Sequence, residues 1–577
     1  MTNIYWNKSK QYNNSDILIS IYLKENELEV KKKFHQTVND FANLRLNSKS
    51  IIDLTSELDI DLWNSSLLAE KSFYKTPEIF SFLKIISLEI YIKSKRCSEI
   101  NIYNCSNNEK GIIKLLLHEN NVKCNFHKNN RSKIKFRYFI PHFLQALLWF
   151  CMKTWSFLGV KSKINIKNES QVLIYSTLSH LDINFKKNIK IMSKVWGVLP
   201  KLLESQKLKV KWIYDFTKGK QTETPKKAFE LLKNNPNNVH QAHTLLVPLK
   251  KSKVLFCCIK LFIKYYIFYY YKFKFIKHHL KSSKNILLSC YFKTFKFNFY
   301  NSFFGICAIE NILYSLTFDD ILASLNKQNL GLYISENQGW EILFIKSWKK
   351  YSHGKLVSVQ HSTVRFWDLR YYHSEWINDD LTPTFISVNG NAAKNRFLDS
   401  NYPNNRIIKL ESLRYSYLSN FKKYTNINRS KNILVLGDYI VSKTLKMINI
   451  VENISNSNRY NFSFKSHPAG TINSSQLKKF NLTSDHLNDL FSHFDTVICP
   501  ISSGSSVEAF IVGLKTILYV DNEIDTSPIY GYSNSINFST EDQLLRCLEE
   551  PNGAKNIQDF FYLNSDYKYW NQLLKNI

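Results

Sequence analysis

From Gln171 onward, short apolar runs alternate with helical ones, and that alternation restricts the chain to an α/β architecture built on parallel sheets. QVLIYS at Gln171 and VKWIYD at Val210 are continuously apolar, as strands covered on both faces must be. A helical pattern over 192–204 lies between them, and another follows Pro225. The alternation returns with the strand GLYIS (331–335), the helix WEILFIKSW, and the strands KLVSVQ and FISVNG. A second unit starts at Lys431 with the strand KNILVLGD and the helix SKTLKMINIVENI. It continues through NFSFKSHP, HLNDLFSHF, TVICP, VEAFIVGL and KTILYV. Two Rossmann-like domains are expected, 166–430 and 431–577, joined by a polar connector over 415–430, with a ligand cleft between the carboxyl ends of their strands. Residues 1–165 read as a smaller accessory α/β domain, with a helix from Ser81 and a strand INIYNC.

Composition narrows the partners. The formal net charge is +31, which suits an anionic partner such as nucleic acid, a lipid surface or a phosphorylated substrate. Much of the excess is Lys in a chain equally rich in Asn, Ile, Phe and Tyr, so only the charge clustered beside apolar stretches carries weight. Two such stretches stand out. Residues 138–160 are nearly uncharged, and 254–280 interleave aromatics with Lys260, Lys264, Lys272, Lys274 and Lys277. Neither supplies the ~18 uncharged apolar residues of a spanning helix. The basic–aromatic insertion is expected to lie on an anionic membrane surface; for 138–160, interfacial helix and buried core helix are equally good readings. The ten Cys include no C-x-x-C pair, and several sit in apolar runs, so buried thiols in a reducing compartment are expected. The first sixteen residues lack a signal-peptide core. A cytoplasmic protein, peripheral on the inner face of the membrane, is the expectation.

The densest chemical motif is VICPISSGSSVEAFIVG at 497–513, where a buried strand ends at Pro500 and a small-residue loop enters a helix. Unsatisfied N–H groups and the helix dipole make such a junction an anion site. Gly504 permits close approach, and Ser502, Ser503, Ser505 and Ser506 add hydroxyls. Ser505-x-x-Glu508 is also a capping box that needs no ligand. The second motif, KSHPAG at 465–470, also ends a strand; His467 and Lys465 can stabilise a phosphate there, or His467 can simply close a turn.

A His-Pro motif followed by a serine-rich loop and a helix carrying Glu resembles the C-terminal half of inverting GT-B glycosyltransferases that use CMP-activated sugars, the bacterial sialyltransferases and related Kdo and capsule transferases. ISENQGWE (334–341), VSVQHSTVRFWDLRYYH (357–373) and LWNSSLLAEKSFYKTP (62–77) resemble surface-carbohydrate GT-B proteins too. The resemblance implies a GT-B fold, a nucleotide-sugar donor, a glycan or lipid-linked glycan acceptor and no nucleic acid. It puts His467 and the serines on the nucleotide phosphate, with no cofactor and no metal. The family's acidic D/E-D/E-Gly motif is missing, so the base lies elsewhere. Glu336, directly after a strand, is the first candidate, followed by Glu341, His361 and Asp368. Glu341 is equally readable as a first-turn residue stabilising the helix dipole, Asp368 as an ion pair with Arg365 or Arg370, and His361 as packing. Arg365, Arg370 and Arg414 suit an acidic sugar carboxylate or an acceptor phosphate, or plain solvation.

Asp59 and Asp61 form a D-x-D outside both Rossmann-like units, and no P-loop or G-x-S-x-G elbow is present. A UDP-sugar or CDP-polyol donor is the nearest alternative, and a non-catalytic membrane- or nucleic-acid-binding protein the alternative of another class.

Overall fold

The computed structural model describes residues 2–7, 16–127, 140–160, 170–184, 190–219, 222–234, 241–247, 252–421, 432–455, 459–467, 470, 472–473, 475, 477, 479–521, 524–532, 536–550 and 559–577. Its central sheet has seven parallel strands in the spatial order Gln241–Leu245, Val210–Asp215, Val172–Thr177, Leu330–Ile334, Lys355–Val359, Phe385–Val388 and Ile407–Lys409. The strand order reverses between Val172–Thr177 and Leu330–Ile334, which opens a crevice at their carboxyl ends. Both faces are covered, which is why the strands read as unbroken apolar runs. Leu173, Tyr175 and Ile213 face one core; Val172, Ile174 and Trp212 face the other.

The second sheet has six parallel strands, ordered Asn481–Leu482, Asn461–Lys465, Asn432–Leu436, Thr496–Pro500, Lys515–Tyr519 and Ile536–Phe538. It reverses in the same manner, between Asn432–Leu436 and Thr496–Pro500. Leu434, Val497 and Leu518 point to one core, and Ile433, Val435 and Ile498 to the other.

The leading residues form a small parallel sheet of Ile17–Leu18, Thr2–Tyr5, Glu99–Tyr103 and Lys123–His127. Its core does not stand alone. Five helices inserted between Gln241–Leu245 and Leu330–Ile334 pack onto it: Ser252–Phe273, Ile276–Ser282, Ile286–Thr294, Lys296–Phe304 and Ile306–Ala323. Together with one face of the seven-stranded sheet they bury a single apolar cluster.

Two features depart from the sequence reading. The helix expected over 192–204 is a strand, Lys190–Ser193, paired antiparallel with Leu181–Asn184, and the helix itself is only Leu199–Ser205. Gly197, at φ 45°, turns the chain between them. The last helix, Lys568–Lys575, follows the second sheet in sequence but packs on the first, with Trp570 and Leu574 in its core. The Glu411 carboxylate accepts the N–H groups of Tyr569 and Trp570 at 2.9 and 3.1 Å, fixing that helix start. The chain thus passes between the sheets twice, and the two passages touch. Tyr415 stacks on Phe561 with centroids 4.4 Å apart, and the Ser412 N–H donates to the Tyr562 carbonyl.

Candidate functional site

At the reversal point of the seven-stranded sheet lies a chamber of about 490 Å³. Glu70, Asp215, Glu310 and Glu336 all line it, with Lys75, His180 and Tyr314. Burial pushes the Asp215 and Glu310 carboxyls up from their ordinary range, and the Tyr314 hydroxyl donates to Asp215 at 2.5 Å. Glu70 is 5% exposed. Its Oε2 accepts from Lys75 at 2.8 Å, while its Oε1 has no partner among the described residues. In a protein of net charge +31, this concentration of carboxylates is a local inversion of sign.

Glu336 stands on the loop after Leu330–Ile334, and three contacts fix that loop. The Glu341 Oε1 accepts the N–H groups of Glu336 and Gln338, both at 2.9 Å. The Tyr371 hydroxyl donates to the Ser335 carbonyl at 2.9 Å. Gly339 lies so close to the 62–77 segment that a Cβ would meet the Ser65 carbonyl oxygen at 2.4 Å. Gln338 donates to the Glu336 carboxylate, and the His361 Nε2 is 4.0 Å from its Oε1. His361 is held well below the usual imidazole range, first by burial and then by Arg414, His180 and Arg370. His180, whose ring is 5.8 Å from that of His361, is pushed down to about 4 by burial, with Arg414 adding to the shift. Both imidazoles are therefore neutral at pH 7, leaving the Glu336 carboxylate beside a neutral histidine.

Glu341 fastens this loop through those two N–H groups. Burial, opposed by its two N–H donors, raises its carboxyl to about 8. A carboxyl raised above its ordinary 4.5 contributes stability at low pH that is lost as pH rises toward 8. Glu341→Gln keeps the accepting oxygen and removes the charge. Its thermal midpoint is expected to exceed that of the parent at pH 9 and to match it near pH 4; equal midpoints at both values would contradict the assignment.

The other first-domain candidates separate. Asp368 is held by Arg370 in a two-pronged pair of 2.8 and 2.7 Å. Arg365 reaches across to the second sheet, donating to the Ser502 carbonyl at 3.0 Å and the Thr526 carbonyl at 3.4 Å. Both arginines are thus already engaged by protein groups. Arg414 is exposed, with no hydrogen bond or ion pair among the described residues, and it biases His180, His361 and Glu508 electrostatically.

The serine loop sits at the reversal point of the second sheet, but its hydroxyls are largely spoken for. Ser502 donates to Asp438 Oδ2 at 2.5 Å, and Ser506 to the Ser503 carbonyl at 2.7 Å. Ser503 is buried. The box expected between Ser505 and Glu508 does not form: the helix Ser505–Val512 has Gly504 as its N-cap without a side-chain bond, and Glu508 instead accepts the Tyr417 hydroxyl. What points outward is the backbone. Open space surrounds Gly504, and no backbone acceptor takes the Gly504, Ser505 or Ser506 N–H among the described residues. The Ser505 hydroxyl has no hydrogen-bond partner among the described residues. His467 follows the strand Asn461–Lys465, one strand beyond Asn432–Leu436, its backbone N 3.2 Å from where a Cβ on Gly437 would lie and its ring 6.2 Å from that of Tyr439. It therefore shares an edge with the serine loop. Lys465 turns away to the Ser484 carbonyl at 3.2 Å. Pro468 of the His-Pro motif lies outside the described residues.

His180, Asp215, Glu310 and Tyr314 line the chamber without being singled out by the sequence motifs. Asp215 had the same signal as Glu336, an acid ending an apolar strand. Glu310 is a single carboxylate in the otherwise apolar start of Ile306–Ala323. Asp61 of the D-x-D is buried, accepting from the Asn64 backbone and side chain, so it shapes a turn.

Two Rossmann-like sheets whose carboxyl ends meet through Arg365 and Ser502, with a last helix returned to the first, constitute a GT-B fold. Among solved structures the chain is similar to UDP-GlcNAc 2-epimerase from Methanocaldococcus jannaschii, at 13% identity and a TM-score of 0.38 over 71% of this chain and 99% of that one. It is also similar to MurG of Acinetobacter baumannii, at 11% identity and a TM-score of 0.35 over 66% and 91%. An apo structure of OtsA gives 9% and 0.34 over 70% and 96%. No family model and no curated protein matches the chain. The two strand orders define the fold.

Proposed function

We propose that the protein is an inverting, nucleotide-sugar-dependent glycosyltransferase that builds a surface polysaccharide or lipopolysaccharide. The observation that carries this reading is the contact between the carboxyl ends of the two sheets, where Arg365 donates to the Ser502 carbonyl: the second sheet brings an uncapped helix N-terminus at Gly504, and the first brings Glu336 at a carboxylate-lined chamber. In this reading the N–H groups of 504–506, Ser505 and His467 hold the nucleotide phosphate as it leaves. The chamber holds the acceptor, whose hydroxyls suit its carboxylates, and Glu336 takes the proton of the attacking hydroxyl. The sugar carbon then gains a bond to the acceptor oxygen on the face opposite the departing phosphate.

The His-Pro and serine-loop resemblance favours a CMP-linked acidic sugar as donor. The engagement of Arg365 and Arg370 favours the second reading, a UDP-sugar or CDP-polyol, since two of the three guanidiniums assigned to a sugar carboxylate are occupied. Thermal stabilisation by CMP, UDP and CDP decides between them. One nucleotide is expected to raise the melting temperature saturably, by an increment that grows with concentration over its Kd. His467→Ala is expected to weaken both that stabilisation and turnover. No response to any of the three nucleotides would remove the transferase reading.

A further inference from the structure

The helices His142–Ser156 and Ser252–Phe273 meet at Phe143, which stacks on Phe262 at 5.5 Å and packs against Tyr266 at 4.9 Å, and both pack on Ile306–Ala323. Each turns one side inward. On the longer helix Cys258, Phe262, Tyr265, Tyr269 and Phe273 are buried in the shared core. The outward sides are apolar as well. Leu144, Leu148, Met152 and Trp155 form a stripe on the first, with Met152 72% and Trp155 77% exposed. Phe256, Ile263, Ile267, Tyr270 and Tyr271 form another on the second. An isolated exposed Leu is ordinary, but apolar stripes of this length on two helices that touch are the kind of surface that marks an interaction site.

The charge pattern indicates the occupant. Lys260, Lys264, Lys272, Lys274, Lys277 and Lys281 are all exposed along the second helix and its continuation, and 252–282 contain no Asp or Glu. Residues 140–160 contain none either. Aromatic and aliphatic side chains set among lysines, with no anion, match the boundary between anionic headgroups and acyl chains. The stretch Val254–Ser282 has the length and hydropathy of a spanning helix. It is nevertheless fastened along its length to the protein core, which leaves only one side to offer.

We propose that these two helices together form a platform that lies flat on an anionic bilayer. The platform is also next to the chamber: on the inner side of His142–Ser156, Trp149 and Lys153 line a small pocket with Asp215, Glu310 and Tyr314. Seating the platform therefore places the chamber at the membrane surface.

The test is co-sedimentation of the full chain with vesicles of phosphatidylcholine alone or mixed with phosphatidylglycerol. Binding is expected only to the anionic vesicles, weakened by salt. Met152→Glu/Trp155→Glu and Lys260→Glu/Lys264→Glu, all at exposed positions, are each expected to lower the partition coefficient by about tenfold or more. Unchanged thermal midpoints and nucleotide stabilisation would show that fold and donor site are intact, keeping this proposal separable from the transferase reading. Equal binding to both vesicle types, variants that bind like the parent, or a dimer abolished by Met152→Glu/Trp155→Glu would overturn it. Retention in cell membranes after alkaline carbonate would overturn it too, in favour of a spanning helix.

Discussion

Glu336→Gln is expected to lower turnover by about 10²–10⁴-fold while leaving nucleotide affinity unchanged. The substitution is close to isosteric, and the carboxamide oxygen can still accept from Gln338. The loop is held by groups outside the Glu336 side chain, namely Glu341, Tyr371 and the packing of Gly339 on Ser65. What disappears is the capacity to accept a proton 4.0 Å from a neutral His361. A kcat that falls with KM and nucleotide stabilisation preserved is the signature of an interaction made in the transition state. Full activity in this variant would move the base to His361, whose buried Nδ1 has no partner among the described residues.

Trp570→Ala is expected to destabilise the first-sheet domain by about 3–5 kcal/mol, read as a shift in its urea unfolding transition. The side chain is fully buried, and its Nε1 donates to the Glu411 carbonyl at 2.9 Å. The variant therefore leaves both a large cavity and an unpaired carbonyl. The helix that carries it is otherwise anchored by Leu574, by the half-buried Tyr569 and Leu573, and by the Glu411 carboxylate at its start. A loss below about 1 kcal/mol would mean that the returning helix is only loosely seated.

The sheets were the legible part. A strand covered on both faces leaves a continuous apolar run, and QVLIYS, VKWIYD and TVICP mark their strands for that reason. The helices of 286–323 were not legible, because a helix packed on several sides shows no single apolar stripe; Ile306–Ala323 buries residues around most of its circumference. Glu336 could be named from its place after a strand. The fate of the serine hydroxyls could not, since the acceptor for Ser502 is Asp438, at the end of another strand. The occupation of Arg365 by the Ser502 carbonyl is likewise a contact between distant segments that no spacing records.

The paired passages between the sheets set how the cleft can move. Were the halves joined by one strand of chain, each could swivel freely. Because the outgoing and returning segments are stacked at Tyr415 and Phe561 and bonded at Ser412 and Tyr562, they act as one axle. The softest relative motion is then a single rotation, like a book opening along its spine. The Arg365 guanidinium on the Ser502 and Thr526 carbonyls works as the clasp on the open edge.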